Sequence, residues 1–122
     1  RGIVNAESIQ EATGLGFSDL LAACDAVICK PGYGTFAEAA LASTPVLYVK
    51  RADWPEQAVL VAWLKAHARC IELSLVDLLN GDFQHALCAL WNQPEKPHIA
   101  SDGAMIAARK MLSLLDPSEI KA

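Results

Sequence analysis

Short apolar runs recur along the chain, and segments with helical periodicity separate them. The runs cover residues 3–4, 26–30, 46–49 and 70–73. They contain few polar residues in alternation, a pattern typical of strands buried on both faces, as in a parallel sheet. Helices are predicted over residues 17–24, 36–41, 54–66, 74–79 and 83–91, with a last helix from residue 101. Residues 5–15 and 92–100 are predicted as loops.

The alternation of strands and helices predicts an α/β fold. We expect a three-layer, Rossmann-like parallel sheet of three to four strands with right-handed crossovers. A chain of 122 residues is sized for one domain. Such a sheet is small, so the chain resembles the second half of a dinucleotide-type domain. Its start at Arg1, directly before Gly-Ile-Val, fits a piece of a longer protein.

Small polar residues predict where the helices begin and end. Proline at position 45 and the Asn-Gly pair at residues 80–81 are expected to end helices. The expected N-caps are Ser18 and Asp82, and the expected capping boxes pair Thr35 with Glu38 and Asp53 with Glu56.

Composition narrows the class of protein. Hydrophobic residues make up 53% of the chain, yet no apolar run approaches the roughly 18–20 residues of a membrane span. The net charge of −4, without a basic run, argues against nucleic acid as a partner. We expect reduced core cysteines in a cytoplasmic protein, because no Cys-x-x-Cys pair and no signal peptide are visible. The three histidines lack metal-binding spacing, so no metal site is predicted.

The glycine-rich turn after the second apolar run is the strongest candidate site. Its residues are Lys30, Gly32, Tyr33, Gly34 and Thr35. Glycines allow a ligand to approach the backbone closely. We expect the free N–H groups of Gly34, Thr35 and Phe36 at the following helix start to favour a phosphate. Lys50 and Arg51, after the next strand, add positive charge at the same edge of the sheet. The alternative is an ordinary turn capped by Thr35.

Three further side chains each have two interpretations. Glu38 is either the second residue of a capping box or an acceptor for the vicinal hydroxyls of a ribose. Glu56 and Gln57 are either a solvated helix start or a carboxylate and amide pair that binds sugar hydroxyls. Trp54, beside them, is the tryptophan nearest to such a site.

These residues together resemble a known enzyme family. Residues 25–57 are similar to the C-terminal nucleotide-sugar domain of GT-B glycosyltransferases, above all the peptidoglycan N-acetylglucosaminyltransferase-like group. The shared pattern is a strand, the motif G-x-x-T-x-x-E, a helix, a strand led by proline, and a polar loop with glutamine. Residues 30–115 resemble still more the glycosyltransferase-like N-terminal region of plant L-arabinokinases and related bacterial proteins. The kinase motifs of the arabinokinases are absent.

The resemblance implies a site and a function. It places Gly32, Tyr33, Gly34 and Thr35 against a donor diphosphate, Glu38 on the ribose, and Glu56 with Gln57 on the donor sugar. Glu56 departs from the amide often found there. A UDP-sugar donor, transfer of a hexose or N-acetylhexosamine and no cofactor are expected, whereas the acceptor is left open.

The same resemblance implies that the chain is the second half of a GT-B C-terminal domain. It would then lack both the N-terminal domain and the first half of the donor domain. We therefore expect the isolated chain to be inactive as a transferase, and to be able to self-associate through an exposed apolar face. The alternatives are a nucleotide-sugar hydrolase or epimerase of the same fold, or a non-catalytic GT-B-like binding module.

Overall fold

The computed structural model describes residues 5–115. Its elements are α1 (Ala6–Thr13), α2 (Phe17–Ala22), β1 (Val27–Cys29), α3 (Tyr33–Ala42), β2 (Val46–Tyr48), α4 (Gln57–His67), β3 (Cys70–Glu72), α5 (Leu75–Asn80), α6 (Gln84–Trp91) and α7 (Gly103–Leu115). The predicted α/β class is confirmed, because helices and strands alternate from α2 to α5.

The described strands form one parallel sheet in the order β1-β2-β3. Val46 of β2 aligns with Val27 of β1 and with Cys70 of β3. The three strand predictions within the described residues are confirmed, with slightly shorter bounds. The fourth prediction, at residues 3–4, lies outside the described residues.

Successive residues of β2 belong to two different hydrophobic clusters. Val46 and Tyr48 pack in a cluster that also contains residues of α2, α3 and α4, such as Phe36 and Leu64. Leu47, between them, packs with Leu73 and Leu90. Side chains alternate between the two faces of a strand, so apolar neighbours on both faces explain the uninterrupted apolar sequence.

The loop prediction for residues 5–15 is wrong, because helix α1 covers most of that segment. Its ends carry clear signals: the Asn5 side chain accepts a hydrogen bond from the N–H of Ser8, and Gly14 follows with φ of 70°. None of its residues is buried. Its apolar side is short, with only Ala6, Ile9 and Ala12, so the cap residues at its two ends are the stronger signal for this helix.

The start of α2 also differs from prediction. Ser18 is not the N-cap, because Gly16 takes that position. The carboxylate of Asp19 accepts a hydrogen bond from the Gly16 N–H at 3.0 Å. The Asp19 side chain thus bonds to the main chain of the N-cap residue, as the N3 residue of a capping box does.

Neither predicted capping box is present in α3 or α4. Helix α3 begins two residues before Thr35, with Gly32 as its N-cap and no side-chain capping bond. Helix α4 has Glu56 itself as its N-cap, again without a side-chain capping bond. Asp53 lies in the loop before it and adopts a left-handed φ of 54°. Threonine or aspartate followed by glutamate three residues later also occurs within a helix or loop, so the spacing alone misplaced both starts.

The last two helices begin close to their predicted positions. Helix α6 has Phe83 rather than Asp82 as its N-cap. Helix α7 begins at Gly103, two residues after the predicted position 101, and no residue of it is buried. Its apolar side chains Met105, Met111, Leu112, Leu114 and Leu115 are each more than half exposed.

A second apolar surface, on β1, is partly exposed. Val27 and Cys29 pack against the larger cluster, whereas Ile28, between them, is 36% exposed. The helices α5 and α6 make their contacts through Leu47, Leu73 and their neighbours on β2 and β3. The face of β1 opposite α3 is therefore only partly covered.

Candidate functional site

The predicted site residues gather at the carboxyl edge of the parallel sheet. Lys30 follows the last residue of β1, and the turn at Gly32 leads into α3. Arg51 follows β2, and Glu56 with Gln57 begins α4. In a parallel α/β sheet this edge is where ligands bind, because the strand ends and helix starts meet there.

The first turn of α3 has main-chain donors without protein partners. The Phe36 N–H donates to the carbonyl oxygen of Gly32 at 3.1 Å. No side chain of the described residues caps this helix, so the open N–H groups are those of Tyr33, Gly34 and Thr35. The predicted trio, which included Phe36, is therefore wrong by one position. The helix has ten residues and directs the positive end of its dipole at the same place.

Neither glycine of this turn is required by the protein's own packing. A Cβ atom added to Gly32 or Gly34 would meet nothing within 4 Å. Gly32 is extended, with φ of −165°, a conformation open to any residue. Open space therefore lies beside the backbone N–H groups at the start of α3.

Tyr33 joins the start of α3 to the start of α4. Its hydroxyl group donates a hydrogen bond to Oε2 of Glu56. Its ring meets that of Trp54 edge-on, with centroids 6.0 Å apart. The hydrogen bond to Glu56 raises the pKa of the Tyr33 phenol, because the carboxylate stabilises the protonated hydroxyl group. One oxygen of Glu56 is thus already engaged within the protein.

Gln57 closes the loop between β2 and α4. Its Oε1 accepts a hydrogen bond from the N–H of Arg51 at 2.6 Å, and its Nε2 donates to the carbonyl oxygen of Arg51 at 3.2 Å. The Arg51 guanidinium group lies over the Trp54 ring, 4.8 Å from its centroid. The side chain of Gln57 therefore fixes the residue that carries the cation.

The charges at this edge are unevenly paired. Lys50 forms an ion pair with Glu72 of β3 at 2.8 Å, at the surface. Within residues 5–115, neither Lys30 nor Arg51 forms an ion pair. Both side chains are exposed, and their donors are available to an anion that reaches this edge.

Glu38 lies apart from the other carboxylate. Its Oε2 accepts a long hydrogen bond, 3.4 Å, from Oγ of Ser18 in α2. Glu38 follows Tyr33 by five positions, which turns their side chains by roughly 140° about the helix axis. Glu38 thus faces the α2 flank of α3 and Glu56 the α4 flank. Glu38 also belongs to the second turn of α3, beyond the position that the second residue of a capping box takes.

Two grooves flank α4. One, of about 340 Å³, lies between α3 and α4 and is lined by Tyr33, Ala37, Val59, Leu60 and Trp63. The other, of about 720 Å³, lies between α4 and β3, and its polar lining includes Lys50, Gln57, Lys65 and Glu72. Tyr33 borders the apolar groove and Gln57 the polar one, so each groove reaches the candidate site.

The cysteines are free, but only part of the prediction for them is right. Cys24 and Cys88 are exposed rather than part of the core, whereas Cys70 is buried and Cys29 is half-buried. Burial raises the pKa of Cys29 to about 11. Within the described residues no group of three His, Cys, Asp or Glu side chains is arranged to hold a metal ion. No helix in that part of the chain is long and apolar enough to cross a bilayer.

Comparison of this chain with protein-family models, with curated proteins and with solved structures finds no match.

Sequence reasoning missed two partners of the site. Ser18, expected as an N-cap, instead contacts Glu38, and Glu72 of β3 neutralises Lys50. Glu72 follows directly on the apolar start of β3, at the same sheet edge as the other strand ends. That position was a signal, because parallel strands bring their carboxyl ends to the same edge of the sheet.

Proposed function

We propose that this chain is the donor-binding part of a nucleotide-sugar glycosyltransferase that transfers a hexose or N-acetylhexosamine from a UDP-sugar. The observation that carries the proposal is the uncapped first turn of α3. Its open N–H groups face empty space at Gly34, and the exposed cations Lys30 and Arg51 lie at the same sheet edge. Backbone donors, a helix dipole and positive side chains are the chemistry that binds a diphosphate.

The residues take the roles that the resemblance suggests. The N–H groups of Tyr33, Gly34 and Thr35 would bind the diphosphate, and Glu38 would accept hydrogen bonds from the ribose hydroxyls. Glu56, with Gln57 beside it, would contact the donor sugar. The diphosphate gains negative charge as its bond to the sugar breaks. Fixed donors at α3 and the cations at the sheet edge would stabilise that charge without a metal ion or cofactor.

The bare surfaces support a finer proposal, in which the chain is the second half of a GT-B C-terminal domain. Ile28 on β1 and the apolar stripe of α7 are exposed. In such a domain a first half and an N-terminal domain supply further packing surface. The N-terminal domain also binds the acceptor and usually supplies the catalytic base. We therefore expect the 122-residue chain to lack transferase activity, and its exposed apolar surfaces to favour self-association.

A second candidate is a GT-B-like module that binds a nucleotide sugar without transferring it. The observation in its favour is that Glu56 and Gln57, the pair assigned to the sugar, both bond to the protein itself. The third candidate is a nucleotide-sugar hydrolase or epimerase of the same fold. Release of free sugar from a UDP-sugar would identify the hydrolase.

The test uses a glycine that packing does not require. Gly34→Ala adds one methyl group where nothing lies within 4 Å, so the folded state should be undisturbed and even favoured by the better helix former, by up to about 1 kcal/mol. The same methyl group would occupy the space of a diphosphate. We expect UDP and UDP-sugars to bind the wild-type chain saturably in calorimetric titrations, GDP-sugars to bind more weakly, and the variant to lose UDP binding.

Gly103→Ala is the matched control, since Gly103 also begins a helix and has open space around it. It should leave UDP binding unchanged. Equal UDP affinity in wild type and Gly34→Ala would show that the donor site is elsewhere. Absence of UDP binding by the wild-type chain would contradict the proposal itself.

A further inference from the structure

We infer that Gln57 is a positioning residue that holds Arg51 as the phosphate-binding cation of this site, rather than a residue that contacts the donor sugar. The inference rests on the proposed function and changes the assignment of one of its residues. It starts from the two hydrogen bonds between the Gln57 amide and the Arg51 peptide.

The side-chain amide of Gln57 forms hydrogen bonds with both main-chain polar groups of Arg51. A side-chain amide has one carbonyl oxygen and two N–H donors. Its oxygen accepts from the Arg51 N–H, and one of its N–H groups donates to the Arg51 carbonyl oxygen. The main-chain N–H of Gln57 also donates to the carbonyl oxygen of Trp54 at 3.2 Å. The loop from Arg51 to Gln57 is thus closed on itself before any ligand arrives.

The closed loop determines where the Arg51 side chain lies. Its guanidinium group rests on the ring of Trp54, 4.8 Å from the centroid, and the Trp54 ring is in turn contacted edge-on by Tyr33. A guanidinium group stacked on an aromatic ring keeps its N–H donors free at its edge. No carboxylate of residues 5–115 forms an ion pair with Arg51, although Asp53 and Glu56 belong to the same loop.

This arrangement fits an anionic ligand whose oxygens are arranged in a plane or a tetrahedron. The proposed function requires one such ligand, a diphosphate. Arginine binds phosphate through paired hydrogen bonds, and pre-ordering its position reduces the entropy lost on binding. Gln57 would therefore act on every ligand that carries the diphosphate. A residue that contacts the sugar would act only on ligands that carry the sugar.

The experiment measures the affinity of the 122-residue chain for inorganic pyrophosphate, UDP and UDP-N-acetylglucosamine by calorimetry. Gln57→Leu removes both hydrogen bonds at nearly constant volume, and we expect it to weaken all three ligands by the same factor, about tenfold. Arg51→Lys keeps the charge but loses the planar fork, and we expect a similar loss for all three.

Gln93→Leu is the matched control. Gln93 makes the same two-point contact with the peptide of Cys70, at the opposite end of the parallel strands. Its loss should change stability without changing affinity. Amide hydrogen exchange at Arg51, measured without ligand, should accelerate in Gln57→Leu and stay unchanged in Gln93→Leu.

The outcomes separate this inference from the proposed function. A loss confined to UDP-N-acetylglucosamine would assign Gln57 to the sugar and overturn the inference. Normal UDP affinity in both Gln57→Leu and Arg51→Lys would overturn it while the proposed function stands. Binding of pyrophosphate that depends on Gln57 and Arg51, with no added affinity for UDP, would support the positioning role and contradict the nucleotide-sugar function. If none of the three ligands binds, both the inference and the proposed function are overturned.

Discussion

The side chain of Gln93 occupies the outer edge of β3 by bonding both main-chain groups of Cys70. Its Oε1 accepts from the Cys70 N–H at 3.1 Å, and its Nε2 donates to the Cys70 carbonyl oxygen at 3.0 Å. In a parallel sheet the N–H and C=O of one residue point to the same side. The glutamine amide therefore replaces one residue of a neighbouring strand and protects an edge that would otherwise be open to pairing.

Replacing Gln93 by leucine should lower the free energy of unfolding by about 1–2 kcal/mol, because a partly buried N–H and C=O lose their partners. Urea unfolding followed by circular dichroism would measure the change. Gln84→Leu is the control, since Gln84 is exposed at the start of α6. Equal stability of the Gln93 variant and the wild type would show that the edge contact contributes nothing.

Thr44 is a buried polar residue, 2% exposed, whose hydroxyl group donates to the carbonyl oxygen of Leu21 at 2.9 Å. Thr44→Val keeps the shape but removes one of two hydrogen bonds to that carbonyl oxygen, which also accepts from the Cys24 N–H at 3.1 Å. We expect a loss of about 1 kcal/mol in the free energy of unfolding. Thr44→Ser keeps the hydroxyl group and should lose less, apart from the missing methyl group. A larger loss in the serine variant would mean that packing, not the hydrogen bond, stabilises this position.

Asp53 adopts a left-handed backbone, with φ of 54°, in the loop that Gln57 closes. Glycine reaches this region without steric cost, whereas a β-branched residue does so only with strain. Asp53→Gly should therefore keep or slightly raise the melting temperature. Asp53→Val should lower the free energy of unfolding by about 1–2 kcal/mol. Thermal unfolding of the two variants side by side tests this, and a valine variant as stable as the glycine variant would contradict it.

The four cysteines should differ in reactivity. Burial raises the pKa of Cys29 to about 11 and also raises that of Cys70, so the reactive thiolate is scarce at both near neutral pH. We expect iodoacetamide at pH 8 to label the exposed Cys24 and Cys88 first. Peptide mass spectrometry would follow each site, and urea should equalise the four. Early labelling of Cys29 would contradict its placement.

The same raised pKa has a consequence for stability at high pH. A raised pKa means that the folded protein favours the neutral thiol over the thiolate. The contribution of Cys29 is therefore complete below pH 9.0, its ordinary pKa, and is lost as the pH rises towards about 11. Cys29→Val, which cannot ionise, should lose less stability than wild type between these pH values. Parallel curves for the two proteins would contradict this.

Tyr33 should ionise at higher pH than an ordinary tyrosine, because its hydroxyl group donates to Glu56. Glu56→Gln removes the carboxylate and should return the Tyr33 pKa towards its usual value. The chain has two tyrosines, and the buried Tyr48 also has a raised pKa. Ultraviolet titration in wild type, Tyr33→Phe and Glu56→Gln would separate them. An unchanged titration in Glu56→Gln would show that the hydrogen bond is absent in solution.

The strands were predictable because they consist mainly of consecutive apolar residues. The clearest case is Val46, Leu47 and Tyr48 of β2, which is buried on both faces. The first residues of the helices were harder to predict. The Thr35 and Glu38 pair has the spacing of a capping box, but the same spacing places two side chains on neighbouring turns inside a helix. Helix α1 has only three apolar residues on one side and none that is buried, so the caps at Asn5 and Gly14 identify it better than its periodicity does.

The position of the site was predictable in outline and its contacts were not. Lys30, Gly32 and Arg51 follow strand ends, and parallel strands bring such positions to one edge. The contacts of Gln57 with Arg51 and of Gln93 with Cys70 depend instead on how a loop folds back. A glutamine in a polar stretch has no sequence pattern that distinguishes an engaged amide from a solvated one.

One contact bears on the order in which the chain folds. The indole N–H of Trp91, at the end of α6, donates to the carbonyl oxygen of Asp25 at 2.9 Å, across 66 positions of sequence. Each parallel strand pair encloses a much shorter segment, and loop closure costs more entropy as the enclosed segment lengthens. We therefore expect the strand pairs and their helices to assemble first, and the Trp91 contact to join the ends of that unit afterwards. The fluorescence of this indole would then report a late step of folding.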